Sequence, residues 1–296
     1  MVKKTLFKGA ATALITPTNE NGVDYKKLEE LINWQIAEGI DALVICGTTG
    51  EAATLTPSEY EAVVGRSAEI IGKRVPMIAG AGSNCTEKAI ELTRLAVSCG
   101  ADGILSVTPY YNKTTQKGLV KTYEAIADAS DKPVILYNVP SRTGVNIEPK
   151  TYAELAKHPN ICAIKEASGN LSALMSTLSL VGDSLDVYSG NDDQIYPLLA
   201  LGGKGVISVL SNVLPAYTSK MCHEYFEGNM SKSLKMQLDA LPLINALFSE
   251  VNPIPVKAAM AAMGKCDNYL RLPLCTMSED KADSMYKIMR EMNIIA

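Results

Sequence analysis

A chain of 296 residues has room for two ordinary domains or for one α/β barrel, and with 47% apolar and 20% charged residues it can bury a large core without staples. Its formal net charge of -4 comes from interspersed acidic and basic residues, which leaves no basic stripe for a nucleic-acid backbone. Seven cysteines without a CxxC pair read as reduced thiols in a cytoplasmic protein, and the two histidines, His158 and His223, are too few and too far apart for a histidine-built zinc site, so no metal is expected.

In chain order, the opening Met1, Val2, Lys3 and Lys4 precede an apolar stretch that Lys8, Thr12, Thr16 and Pro17 interrupt, so neither an export signal nor a membrane span is expected there. Short runs rich in Val, Ile and Ala follow at residues 10–15, 42–45, 75–79, 103–107, 134–138, 161–165, 186–189 and 205–208. They are nearly continuous in apolar character, as strands buried on both faces of a parallel sheet must be. Amphipathic stretches lie between them. Residues 24–38 carry Leu28, Leu31, Ile32 and Ile36 at helical spacing, and a second helix opens on Thr56-Pro57-Ser58-Glu59, an N-cap, a first-turn proline and the glutamate of a capping box.

Eight such units predict an α/β fold, a (β/α)8 TIM barrel. The alternative is a doubly wound open sheet, but no GxGxxG follows the first strand and no GxxxxGK[ST] occurs anywhere. From about residue 225 the strand pattern stops, and helical patterns at 231–249, 255–263 and 278–292 take over. Residues 1–224 are therefore expected to form the catalytic barrel, and residues 225–296 a helical region packed on it or used in assembly.

In such a barrel the reactive face is built from the C-terminal ends of the strands and the loops after them. In Ile161-Cys162-Ala163-Ile164-Lys165-Glu166, alternation groups Ile161, Ala163 and Lys165 on one face. Were that face to point inward, Lys165 would stand at the mouth above apolar residues, where desolvation lowers its pKa and frees the amine to attack a carbonyl. Its other reading is a strand-end lysine reaching out to solvent. On the preceding strand the same alternation sends Tyr137 inward, as a proton shuttle facing the amine or as a core tyrosine with a satisfied hydroxyl. Gly47-Thr48-Thr49-Gly50-Glu51 after the second strand offers a close backbone approach and two hydroxyls. In Pro140-Ser141-Arg142-Thr143-Gly144 the arginine suits a carboxylate, or else a surface ion pair. Gly202-Gly203-Lys204-Gly205 precedes its strand and so belongs to the opposite face, which removes Lys204 as a catalytic candidate.

The segments GTTGE, GAGSN, VTPYYNK, YNVPSRTG, IKEASGN, SGND and GGKGVISV, in this order, make the whole chain resemble the dihydrodipicolinate synthase family of Schiff-base lyases, within the pyruvate-dependent class I aldolase and N-acetylneuraminate lyase superfamily. The resemblance implies condensation of pyruvate with L-aspartate 4-semialdehyde, in the diaminopimelate route of lysine biosynthesis, without a dissociable cofactor. It assigns the imine to Lys165 and the proton relay to Tyr137, Thr49 and Tyr111, the last acting in the site of a neighbouring subunit. It gives the pyruvate carboxylate to Thr48 and Thr49, the semialdehyde carboxylate to Arg142, and to Ile207 a backbone carbonyl near the imine. The partners it implies are these two small molecules and further copies of the chain, as a homotetramer built from two tight dimers, with no nucleic acid and no membrane. A sister aldolase acting on a sugar acid shares the lysine and tyrosine but generally lacks the arginine; a ligand-binding barrel without catalysis is the remote alternative. One departure stands out. Where lysine-inhibited members of the family hold lysine through a glutamate and a ring, this chain has Lys88, Pro57 and Tyr60 beside Asn84 and Tyr110, so weak or absent inhibition by L-lysine is expected.

Overall fold

A computed structural model describes residue 3 and residues 5–296, in which eight parallel strands close into a barrel. They are β1 (Gly9–Ala13), β2 (Ala42–Ile45), β3 (Met77–Gly80), β4 (Gly103–Val107), β5 (Val134–Asn138), β6 (Ile161–Glu166), β7 (Asp186–Ser189) and β8 (Gly205–Ser208). β1 pairs with both β8 and β2, which seals the ring. The third strand begins two residues later than the apolar run at 75, because Pro76 has no N–H to give to the ladder, although its carbonyl still accepts from Leu43. A two-stranded hairpin, Thr18–Asn19 with Gly22–Val23, was not anticipated; two-residue strands are too short to show alternation.

Helices follow the strands: α1 (Tyr25–Ala37), α2 (Pro57–Ile71), α3 (Thr86–Ser98), α4 (Gln116–Asp128), the single turn α5 (Pro140–Thr143), α6 (Pro149–Leu155), α7 (Leu171–Val181), α8 (Ile195–Ala200) and α9 (Pro215–Phe226). The Thr56 cap of α2 is a complete capping box, its hydroxyl accepting from Glu59 N while the Glu59 carboxylate accepts from Thr56 N. Three more helices complete the chain, α10 (Met230–Leu247), α11 (Ile254–Ala262) and α12 (Glu279–Glu291). α9 runs through residue 224, so the barrel passes into the helical region without a linker. Among the described residues no helix is long and apolar enough to cross a membrane.

Two cores result. The larger lies between strands and helices; the smaller fills the barrel with Ala11, Ala13, Ala42, Val44, Ile78, Ile135, Ala163 and Ile207 among others. At the N-terminal end of β1 Phe7 stacks on Tyr188 with centroids 4.2 Å apart, and the Tyr188 hydroxyl donates to the Phe7 carbonyl at 2.7 Å. That plug leaves one mouth.

The inward face of β6 follows simple alternation only from Ala163 onward. Val134 pairs with Ile161 but Ile135 pairs with Ala163, so one extra residue of β6 is absorbed as a bulge. Ile161 therefore belongs to the outer core, while Cys162 and Ala163 both belong to the inner one. Beyond the bulge the register is regular, with Tyr137 beside Lys165 and Lys165 beside Tyr188.

Candidate active site

Lys165 sits at the end of β6, inside the mouth, with 6% of its surface exposed. Its amine lies 4.4 Å from the ring centre of Tyr137, the residue paired with it across β5 and β6. Burial is the main reason its pKa falls to about 8; Asp192 opposes the fall and Arg142 assists it. Room for this side chain depends on the next strand end: a Cβ on Gly190 would come within 3.2 Å of Lys165 Cε and 2.6 Å of Ala167 Cβ. On the outer side Glu166 steadies the strand end, accepting from Asn138 Nδ2 at 3.1 Å, Ser168 N at 2.7 Å and the Tyr152 hydroxyl at 3.2 Å.

Tyr137 is buried, which raises its phenol pKa, while Arg142 and a hydrogen bond with Thr48 work against that rise. The two threonines after β2 thus part company. Thr48 is exposed at the rim and partners Tyr137, whereas Thr49 is buried and its hydroxyl accepts from Asn252 Nδ2 at 2.9 Å. The turn directs the two adjacent side chains to opposite sides, Thr48 towards Tyr137 and Thr49 towards Asn252. The turn itself is tight. Gly50 N and Glu51 N donate to the carbonyls of Gly47 and Thr48, and a Cβ on Gly80 of the neighbouring strand would sit 2.1 Å from the Cys46 carbonyl oxygen. Close backbone approach fixes the loop against β3.

Arg142 rides on α5, which starts on Pro140 and ends on Gly144 at φ +68, so PSRTG is one helical turn rather than an open loop. Its Nη2 donates to the Asn252 carbonyl at 3.1 Å. Ile207 lies on β8 in the inner core, fully buried. Tyr111 stands apart from these residues: it is 89% exposed and held at φ +67, an uncommon conformation for a bulky side chain. Lys204 begins the turn into β8 at the plugged end, with Gly9 N donating to its carbonyl.

Two residues at the mouth escaped the sequence reading. Asp192, 2% exposed, accepts from the backbone N–H groups of Val209 and Leu210 at 3.0 and 2.8 Å, and burial raises its pKa. The SGND segment contains it, but nothing local tells it from its neighbour Asp193. Asn252, between α10 and α11, comes from the helical region and gives no sequence signal at all.

The dihydrodipicolinate synthetase family profile matches residues 6–292. The chain belongs to the dihydrodipicolinate synthetase family. The 4-hydroxy-tetrahydrodipicolinate synthase of Clostridium tetani is 53% identical over 284 residues, 96% of this chain and 97% of that protein. Among solved structures, dihydrodipicolinate synthase from Thermotoga maritima superposes with a TM-score of 0.96 at 43% identity, covering 98% of this chain and 100% of that one. The chloride-inhibited dihydrodipicolinate synthase of Acinetobacter baumannii, solved in complex with pyruvate, gives a TM-score of 0.96 at 41% identity with the same coverage. Membership of the dihydrodipicolinate synthetase family makes the chain an enzyme, a lyase of the lysine and diaminopimelate route, on the (β/α)8 barrel expected of it.

Proposed function

We propose that this chain condenses pyruvate with L-aspartate 4-semialdehyde to 4-hydroxy-tetrahydrodipicolinate through a Schiff base on Lys165. The observation that carries the reading is a buried amine with its pKa lowered to about 8 at the barrel's open end, against the ring of a buried tyrosine. A neutral lysine amine is a nucleophile; a charged one is not.

The neutral Lys165 amine adds to C2 of pyruvate, Tyr137 delivers a proton to the resulting hydroxyl, and water leaves to give the protonated imine. Loss of a proton from C3 forms the enamine, whose C3 attacks the aldehyde carbon of the second substrate, and the new alkoxide takes up a proton. The substrate's own amine then attacks the imine carbon, closes the ring and expels Lys165. Thr48 links Tyr137 to solvent or to a second hydroxyl, supported by its hydrogen bond to Tyr137. Thr49 donates to the pyruvate carboxylate, Arg142 holds the semialdehyde carboxylate, and the Ile207 carbonyl faces the imine. Pyruvate is bound covalently as substrate, so the cycle needs no dissociable cofactor.

Tyr111 is 89% exposed in its own subunit, and its strained backbone suits a side chain projected into a neighbouring copy. We therefore assign it to the proton relay of a partner's site in a homo-oligomer, a tetramer made of two tight dimers. Residues 1–224 carry the reacting groups and residues 225–296 brace them, in an enzyme that works in the cytoplasm with its seven cysteines as free thiols. The weak response to L-lysine rests on Lys88, exposed on α3, and on Tyr60, whose hydroxyl is committed to the Gly80 carbonyl at 2.9 Å. Borohydride reduction in the presence of pyruvate tests the function: a stable adduct on Lys165 supports it, and folded protein without an adduct refutes it.

A further inference from the structure

Asn252 touches Thr49 and Arg142, assigned to the carboxylates of different substrates, and through different atoms. Its side-chain Nδ2 donates to Thr49 Oγ1 at 2.9 Å, while its backbone carbonyl accepts from Arg142 Nη2 at 3.1 Å. The residue is 6% exposed, and its Oδ1 has no hydrogen-bond partner among the described residues. A buried carbonyl oxygen without a donor is unfavourable, so what the amide contributes here comes from its other end. Its N–H end does something specific. A hydroxyl has one proton to give and two lone pairs to receive with. With one lone pair of Thr49 taken by the amide, its proton is left to be given elsewhere, and the opposite amide orientation would draw that proton away.

We propose that Asn252 is a positioning residue for the first substrate: by donating to Thr49 it directs the Thr49 proton at the pyruvate carboxylate, while its backbone alone supports Arg142. The inference rests on the reading of Thr49 as part of the pyruvate site. It makes the helical region part of the binding apparatus, since Asn252 lies beyond the barrel, between α10 and α11.

The separation of side chain from backbone gives the test. In the full-length enzyme, Asn252→Ala removes the donor to Thr49 and leaves the carbonyl to Arg142. The pyruvate concentration giving half-maximal borohydride trapping, and the KM for pyruvate, rise roughly tenfold, the loss expected when a hydroxyl proton no longer faces a carboxylate. The KM for the semialdehyde stays within about twofold. Asn252→Asp, which is isosteric, weakens pyruvate further, because its carboxylate accepts the Thr49 proton and adds a buried like charge. In a Thr49→Val background Asn252→Ala has no further effect on pyruvate. Equal weakening of both substrates, full additivity with Thr49→Val, or unchanged pyruvate saturation in the Asp and Ala variants overturns the proposal while leaving the Schiff base intact. Absence of trapping in the unsubstituted enzyme instead overturns the pyruvate chemistry on which it rests.

Discussion

Imine formation should follow the titration of Lys165. A fall from the ordinary 10.5 to about 8 corresponds to about 3 kcal/mol. At pH 7 such an amine is about one-tenth neutral, against about 0.03% for an unperturbed lysine, a gain of roughly 300-fold in nucleophile. Because the folded value lies below the unfolded one, the buried charge costs the fold about 3 kcal/mol below pH about 8, and that cost fades as pH rises towards 10.5. The assay is the initial rate of cyanoborohydride capture at subsaturating pyruvate, which reports the free enzyme, with no second substrate, from about pH 6 to about pH 10. The rate rises through a midpoint near 8 and levels off above it. Two substitutions move the midpoint in opposite directions: Arg142→Gln removes a cation that lowers the Lys165 pKa and shifts it up, and Asp192→Asn removes an anion that raises it and shifts it down. A midpoint near 10.5 in the unsubstituted enzyme, or a shift of the same sign in both variants, refutes the electrostatic reasoning.

Gly190→Ala places a methyl 2.6 Å from Ala167 Cβ and 3.2 Å from Lys165 Cε. It should cost about 1–3 kcal/mol of stability by overpacking and lower kcat by roughly 100-fold through the displaced amine; thermal unfolding and turnover check both, and normal turnover would show that the contact is harmless. Lys257, fully buried, lies 2.5 Å from Glu51 Oε1 and donates to Thr18 Oγ1 at 2.7 Å and the Tyr269 carbonyl at 2.8 Å. Lys257→Met strands the Glu51 carboxylate and should cost about 3–5 kcal/mol in denaturant unfolding, part of it regained in the Glu51→Gln double variant; an unchanged midpoint contradicts this. L-Lysine at about 1 mM should leave initial rates almost unchanged, because its ammonium would meet the Lys88 ammonium, and half-inhibition below that concentration would show that the charge is out of range.

The barrel was legible because its strands are buried on both faces. All eight apolar runs became strands, shifted by two residues at most, where Pro76 delays β3 and where β1 stops at Ala13. The inward direction of Lys165 was legible only in part. Alternation from Ile161 happens to give the right face for Ala163 and Lys165, yet the bulge between them and Ile161 moves Ile161 to the outer core, and a bulge leaves no mark in an apolar run. Thr48 and Thr49 could not be told apart, because their hydroxyls are chemically equal and only the turn separates them. Asn252 and Asp192 were hidden for a different reason. Each acts across a long sequence separation, Asn252 on Thr49 and Arg142, Asp192 on Val209 and Leu210, and such contacts exist only once the barrel and its helical region have packed.

The central claim is that Lys165 becomes covalently attached to pyruvate, and peptide mass spectrometry after incubation with pyruvate and borohydride addresses it directly. The expected result is a single reduced pyruvate adduct on the peptide containing Lys165, lost in Lys165→Ala while that variant keeps its fold. An adduct on another lysine, or none on protein that circular dichroism shows to be folded, would contradict it.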